Sequence, residues 1–189
     1  FDQKLWDLLD DLKETLAQAN GVGLAAPQVG ILRRAVIVMD ENFEPMELVN
    51  PEILAQEGEQ NGLEGCLSVP GLWGYVKRPE WVKVKAQDRT GAWFEVEGTG
   101  LTARCFCHEL SHLDGHLYSE LCDRLYTSDE LDELMEAQET EEASSAQGET
   151  TVQDDAEKDE KPKQEENSEE HGMVYLSEET EEIDQAEEK

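Results

Sequence analysis

No apolar run in the 189 residues approaches the ~20 that a membrane-spanning helix requires, and no basic start followed by an apolar core marks a secretory signal. A cytoplasmic protein with no membrane partner is the expectation. Positive charge is scarce: 15 Lys and Arg face 46 Asp and Glu, a net of −31. So acidic a chain repels phosphate backbones and anionic lipid surfaces, which argues against nucleic acid as a partner. Cysteine is limited to Cys66, Cys105, Cys107 and Cys122. They do not form the framework of a secreted disulfide domain, and three of them crowd one segment. Free thiols are expected, one of them available as a metal ligand.

The acidity is unevenly spread. Residues 1–126 hold 21 acidic and 11 basic residues, whereas residues 127–189 hold 25 and 4. The second stretch has few large apolar residues, so it cannot bury enough surface to offset the entropy of ordering. The reading is one catalytic-sized domain over 1–126 and an acidic, low-complexity, disordered tail over 127–189. The patch "HGMVYL", 171–176, is the tail's one sticky point and a candidate docking segment. Because the chain opens at Phe1 on a helical pattern, a segment upstream is expected.

Leu5, Leu8, Leu9, Leu12 and Leu16 recur at helical spacing and predict an amphipathic helix over 3–19, stopped by Asn20 and Gly21. "AVIVMD" (35–40) and "MELVNPEIL" (46–54) read as strands, the second broken or placed at a sheet edge by Pro51. "EWVKVKAQD" and "GAWFEVEG", joined by a turn-prone link, predict a hairpin. A late helix follows and stops at Gly115, and the fold is expected to finish near Tyr126. Helix, strands, then helix indicate an α+β fold, with antiparallel strands packed around a central helix that carries the metal ligands.

That helix contains "CHELSHLDG" (107–115), in which His108 and His112 stand one turn apart on one face with Glu109 beside the first. About 6 Å separates the origins of the two side chains, so both can reach one cation. The pattern alone also occurs on ordinary surface helices, and a third ligand has to decide. A longer zinc-peptidase pattern would place a histidine where Tyr118 stands, and His116 falls two residues early. Asp132 and Glu133 are poor substitutes, lying where order is expected to fail. Upstream, "NGLEGCLSVPG" (61–71) presents Cys66 in a glycine- and proline-bearing turn, as a buried thiol or as a ligand. "GVGLAAPQVG" (21–30) is a glycine-rich turn without the Lys and Ser/Thr of a phosphate loop.

Taken together, "GVGLAAPQ", "EGCLSVP" and "HELSH" in that order resemble the three motifs of the peptide deformylases. The resemblance runs from Phe1 to about Tyr126, without the family's N-terminal strand and loop, and Ser111 replaces the usual aspartate of the third motif. It implies a metal-dependent hydrolase that removes the formyl group from N-terminal formyl-methionine of newly made polypeptides, releasing formate. Cys66, His108 and His112 are then the ligands of one divalent ion, Fe²⁺ foremost, with Zn²⁺, Ni²⁺ or Co²⁺ also suited to the donors. Glu109 is the general base and then the acid. The Gln28 side-chain amide and the Leu67 backbone N–H are the donors to the oxyanion. Backbone of Val22, Gly23 and Gly65 pairs with the extended peptide. Cys105, Phe106, Trp73 and Tyr75 are candidates for the methionine pocket. Arg104 is read first as a surface ion-pair residue, with a role in the pocket as the alternative. A monomer is expected. A binding protein of the same fold without turnover, and a zinc peptidase, are the competing readings.

Overall fold

A computed structural model describes residues 1–146. The five leucines of the first helical pattern lie on one face of α1 (Gln3–Gln18) and are all buried. Asp2 caps the helix by accepting a hydrogen bond from the Leu5 N–H at 3.1 Å, which satisfies one of the donors left open in a first turn. Asn20, with φ of 50°, turns the chain away after the last turn.

Five strands form one antiparallel sheet in the order β1-β2-β3-β6-β7: β1 (Gly23–Ala25), β2 (Ala35–Met39), β3 (Pro45–Glu57), β6 (Trp81–Gln87) and β7 (Trp93–Thr99). The other sheet is β4 (Gln60–Cys66), β5 (Val69–Arg78) and β8 (Tyr126–Thr127), in the order β4-β5-β8. The first sheet has a helix on each face. Leu24, Ala35, Ile37 and Val49 pack with the leucines of α1, while their neighbours Ala25, Val36, Val38 and Leu48 pack with α2 (Gly100–Leu113). Successive side chains of a strand point to opposite faces, so β2, buried on both, has to be apolar throughout. "AVIVM" is that requirement written in sequence. On β6 only one face is covered, and Val82, Val84 and Ala86 alternate with exposed or half-buried partners.

Two expectations change. Pro51 does not end its strand: β3 continues to Glu57, with register irregularities between Val49 and Glu52 and between Ile53 and Ala55. Asn50 at φ 50° starts the first of them, donating its N–H to the Arg34 carbonyl at 2.8 Å, so the proline falls where the ladder asks for no donor. Residues 61–71, read as a turn, are instead a hairpin whose turn is Leu67–Ser68. The hairpin from β6 to β7 pairs as expected.

Regular structure also continues beyond Tyr126, where the tail was expected to begin. Thr127 and Glu130 form a reciprocal cap, the Thr127 N–H donating to Glu130 Oε2 at 2.9 Å and the Glu130 N–H to Thr127 Oγ1 at 3.3 Å. They open α3 (Ser128–Ala146), which buries Leu131. The remainder of the acidic stretch, with "HGMVYL", lies outside the described residues.

Leu12 sits at the centre of the α1 interface and is 1% exposed, whereas Leu32 is 92% exposed. Leu12→Ala should cost about 2–5 kcal/mol in chemical denaturation, and Leu32→Ala less than about 0.5 kcal/mol. Equal midpoints for the two variants would refute this account of the core.

Candidate metal centre

α2 brings His108, Glu109 and His112 to the seam between the two sheets, and β4 ends there on Cys66. The two imidazole rings meet edge to face with centroids 4.9 Å apart. Cys66 Sγ lies 3.2 Å from His112 Nε2, and one donor atom from each of Cys66, His108 and His112 falls within 4.8 Å of the others. Among the described residues this is the one group of that kind. Thiolate and imidazole at this separation fit a divalent transition ion, which Cys66, His108 and His112 would hold.

The electrostatics support that fit. Burial pushes the Cys66 thiol up, but hydrogen bonds from His108, His112 and the Ser68 N–H outweigh it and bring it down to about 6. The thiolate is thus present at neutral pH. His108 is drawn upward by the Cys66 thiolate and by Glu64 against the effect of burial, so a cation binding there displaces a proton. Glu109 is 3% exposed, and its Oε2 has no hydrogen-bond partner. Burial raises its carboxyl to about 7 despite the pull of the two histidines. A buried carboxylate oxygen without a partner, beside three metal donors, is a group awaiting a proton.

Glu64 organises the ligands, although the sequence reading did not single it out. It is two residues before Cys66 on β4 and therefore on the same face of the strand. Its Oε2 accepts from His108 Nδ1 at 2.9 Å, which leaves Nε2 for a cation. Arg78 grips the carboxylate with two hydrogen bonds of 2.9 and 3.0 Å, and Arg104 adds a third at 2.8 Å. Burial alone would raise this acid, but hydrogen bonds from His108 and Arg78 hold it at about 2. The signal available in the sequence was an acid at that spacing, followed by arginines on the neighbouring strand and on the metal helix. Arg104 is accordingly not a surface residue: it is 3% exposed.

The remaining residues sort as follows. Gln28 Oε1 accepts from the Ala25 N–H at 2.8 Å, and its Nε2 lies 3.3 Å from Ser68 Oγ and 3.6 Å from Cys66 Sγ. A cleft of about 410 Å³, counting space open to solvent, is bordered by Val22, Gly23, Gln28, Gly65, Leu67 and Glu109. Gly23 needs to be glycine because a Cβ there would strike Glu109 Oε1 and Cys105 Sγ. At Gly65 a Cβ would lie 2.7 Å from the Trp73 ring. Cys105 borders the cleft, but Phe106 is wholly buried in the core and Tyr75 packs edge to face on Tyr126. Those two residues are not pocket residues. Tyr118, at the position of the zinc peptidases' third histidine, stacks on His108 and donates its hydroxyl to the Leu72 carbonyl at 2.7 Å. It is a support for a ligand rather than a ligand. His116 is exposed and pairs with Glu120, as expected of a surface histidine. Ser111 donates its hydroxyl to the Cys107 carbonyl of its own helix at 2.6 Å.

Two imidazoles and a carboxylate on a buried helix, completed by a strand-end thiolate, define a metal-dependent hydrolase. Comparison with known proteins is specific about which. The family model for polypeptide deformylase matches residues 1–127. The peptide deformylase of Caldicellulosiruptor bescii is 53% identical over 133 residues, covering 70% of this chain and 80% of that protein. Peptide deformylase 1 of Bacillus subtilis is 49% identical over 135 residues, covering 71% and 84%. The crystal structure of the Thermotoga maritima peptide deformylase superposes with a TM-score of 0.62 at 38% identity, covering 65% of this chain and 84% of that one. The chain belongs to the peptide deformylase family, whose members are metal-dependent hydrolases acting on N-formyl-methionyl peptides. The zinc-peptidase reading is not favoured.

Glu64→Gln keeps the shape of the side chain but removes the charge that orients His108. Metal retention, measured by competition with a chelator, should weaken about 10- to 100-fold. Ser111→Ala, which touches no ligand, should stay within about threefold by the same standard. The reverse order of the two variants would remove Glu64 from this role.

Proposed function

We propose that the chain removes the formyl group from N-formyl-methionyl nascent peptides, with Cys66, His108 and His112 holding Fe²⁺ and Glu109, Gln28 and Leu67 carrying the catalytic roles. The observation that supports it most is convergence: residues from three separate motifs meet at one cleft. When bound, the cation supplies Lewis-acid chemistry and makes water more acidic. Zn²⁺, Ni²⁺ or Co²⁺ would suit the same donors.

The peptide lies between two free sheet edges, β1 on the five-stranded sheet and β4 on the three-stranded one. Backbone of Val22 and Gly23 on one side and of Gly65 on the other pairs with it as an added strand, which fixes the formyl group relative to Glu109. A related deformylase, from Acinetobacter baumannii, has been solved with Met-Ala-Ser bound; it is 39% identical, with a TM-score of 0.60, and the match covers 64% of this chain and 82% of that one. Water oxygen adds to the formyl carbon while Glu109 takes its proton. The Gln28 Nε2 amide and the Leu67 N–H donate to the developing oxyanion. Glu109 then returns the proton to the departing nitrogen as the carbon–nitrogen bond breaks, leaving formate and a free amine. Burial raises the Glu109 carboxyl above the usual carboxylate range, which suits a group that takes up and returns a proton. All of these groups come from one chain, in keeping with a monomer, and a nascent peptide as substrate is in keeping with the cytoplasm.

The full-length protein, purified without oxygen and loaded with Fe²⁺ or Ni²⁺, should release formate from a formyl-Met tripeptide. Glu109→Ala should abolish release while retaining the ion; release that survives would remove Glu109 as the base. Gln28→Leu should lower kcat about 100-fold with a smaller change in KM. A pure KM effect would reassign Gln28 to substrate binding.

A further inference from the structure

Two cleft-lining residues bond the Glu64 carboxylate, His108 and Arg104, and of the two Arg104 is not itself a metal donor. It stands one turn before His108 on α2 and borders the cleft beside Leu101 and Cys105. Its Nη1 donates to Glu64 Oε1 at 2.8 Å, to the Val76 carbonyl at 2.9 Å and to the Gly62 carbonyl at 3.3 Å, while Nη2 reaches Gln60 Oε1 at 3.2 Å. The guanidinium lies flat against β4, which is possible because residue 62 is glycine: a Cβ there would stand 2.8 Å from Nη2. The other oxygen of Glu64 accepts from His108 Nδ1 at 2.9 Å. Arg104 thus lines the cleft together with Glu64 and His108, and a group that fills the cleft beside Leu101 and Cys105 meets a side chain bonded to the residue that orients a ligand.

We infer that Arg104 is a positioning residue through which the first side chain of the substrate acts on His108. The inference rests on the deformylase reading above. A side chain filling the cleft presses on the guanidinium, whose hydrogen bonds to β4 allow little motion except with Glu64. Glu64 in turn sets the angle of the His108 ring. Binding energy from a part of the substrate that does not react is thereby expressed at the reacting centre, in kcat as well as in KM. Arg78 provides the internal comparison: it grips Glu64 with two hydrogen bonds but does not border the cleft. Its loss should weaken the site without regard to which side chain is bound.

The test pairs two substrates with three variants of the full-length, metal-loaded protein. Wild type should turn over formyl-Met-Ala-Ser with a kcat ~10-fold above that for formyl-Gly-Ala-Ser, and Arg104→Met should bring the two within ~2-fold. Arg104→Lys should restore part of the difference, and Arg78→Met should keep it while slowing both substrates. A second readout does not depend on turnover. In Zn²⁺-loaded protein with ¹⁵N-labelled histidine, Met-Ala-Ser should shift the His108 Nδ1 resonance and Gly-Ala-Ser should not, and Arg104→Met should abolish the distinction. Equal kcat values in wild type, or a His108 response that ignores the side chain, would overturn the inference. Wild type that releases formate from neither substrate would overturn the deformylase reading instead, and the histidine resonance would still decide the coupling.

Discussion

A single carboxylate, Glu64, ties the three-stranded sheet to the metal helix. Its oxygens are shared among Arg78 from the next strand, Arg104 from α2 and the ring of His108. An acid buried so deeply is tolerable only because two guanidinium groups surround it, and those cations in turn need the carboxylate. Each partner is thus held by the others. Neither the thiolate at the end of β4 nor the histidines of α2 could be set at ligand distance without a fixed relation between strand and helix, and this cluster provides it.

Around that cluster the architecture is simple. A sheet covered by a helix on each face fixes the depth of α2, because Phe106 and Leu110 are packed on the sheet while His108, Glu109 and His112 border its other side. The apolar half of the helix sets where the polar half points. Tyr118, held by its hydroxyl to Leu72, closes the far side of His108. The cleft is then a gap left between two sheet edges rather than a hollow in a core. Two glycines, Gly23 and Gly65, stand on its borders, where a methyl group would collide with Glu109 and with Trp73.

Much of this was legible in the sequence, and the limits have physical causes. Periodicity disclosed α1 and the hairpin from β6 to β7, since each buries one face and so has to repeat; an unbroken apolar run disclosed β2, and the His–Glu–His spacing the metal helix. The hairpin of β4 and β5 was not legible. "QNGLEGC" and "GLWGYVKR" spend most of their inward positions on Gly62, Glu64, Gly74 and Arg78, with Val76 as the aliphatic exception, so function erased the alternation. Pro51 misled because a bulge, which no local rule announces, removed the demand for its missing donor. The cap of Thr127 and Glu130 was written plainly, but it was overlooked within a stretch judged by its charge. The three motifs marked the residues that meet at the cleft. They did not mark Arg104, whose burial depends on a glycine 42 residues away.

β2 has a further consequence, for motion. Its side chains are covered on both faces and its backbone is paired on both edges, to β1 and to β3. Amides in such a strand exchange with solvent only when the whole domain opens. Because α2 rests directly on β2, the ligand helix belongs to the same cooperative unit. An ion held there would leave through side-chain motion at the cleft, with the helix still in place. The short segment from Gly21 to Val29, which supplies one wall of the cleft, belongs to that unit too, because β1 is paired to β2 and Leu24, Ala25 and Ala26 are buried in the core. The chemistry and one wall of the substrate path are therefore mounted on the same slow part of the molecule.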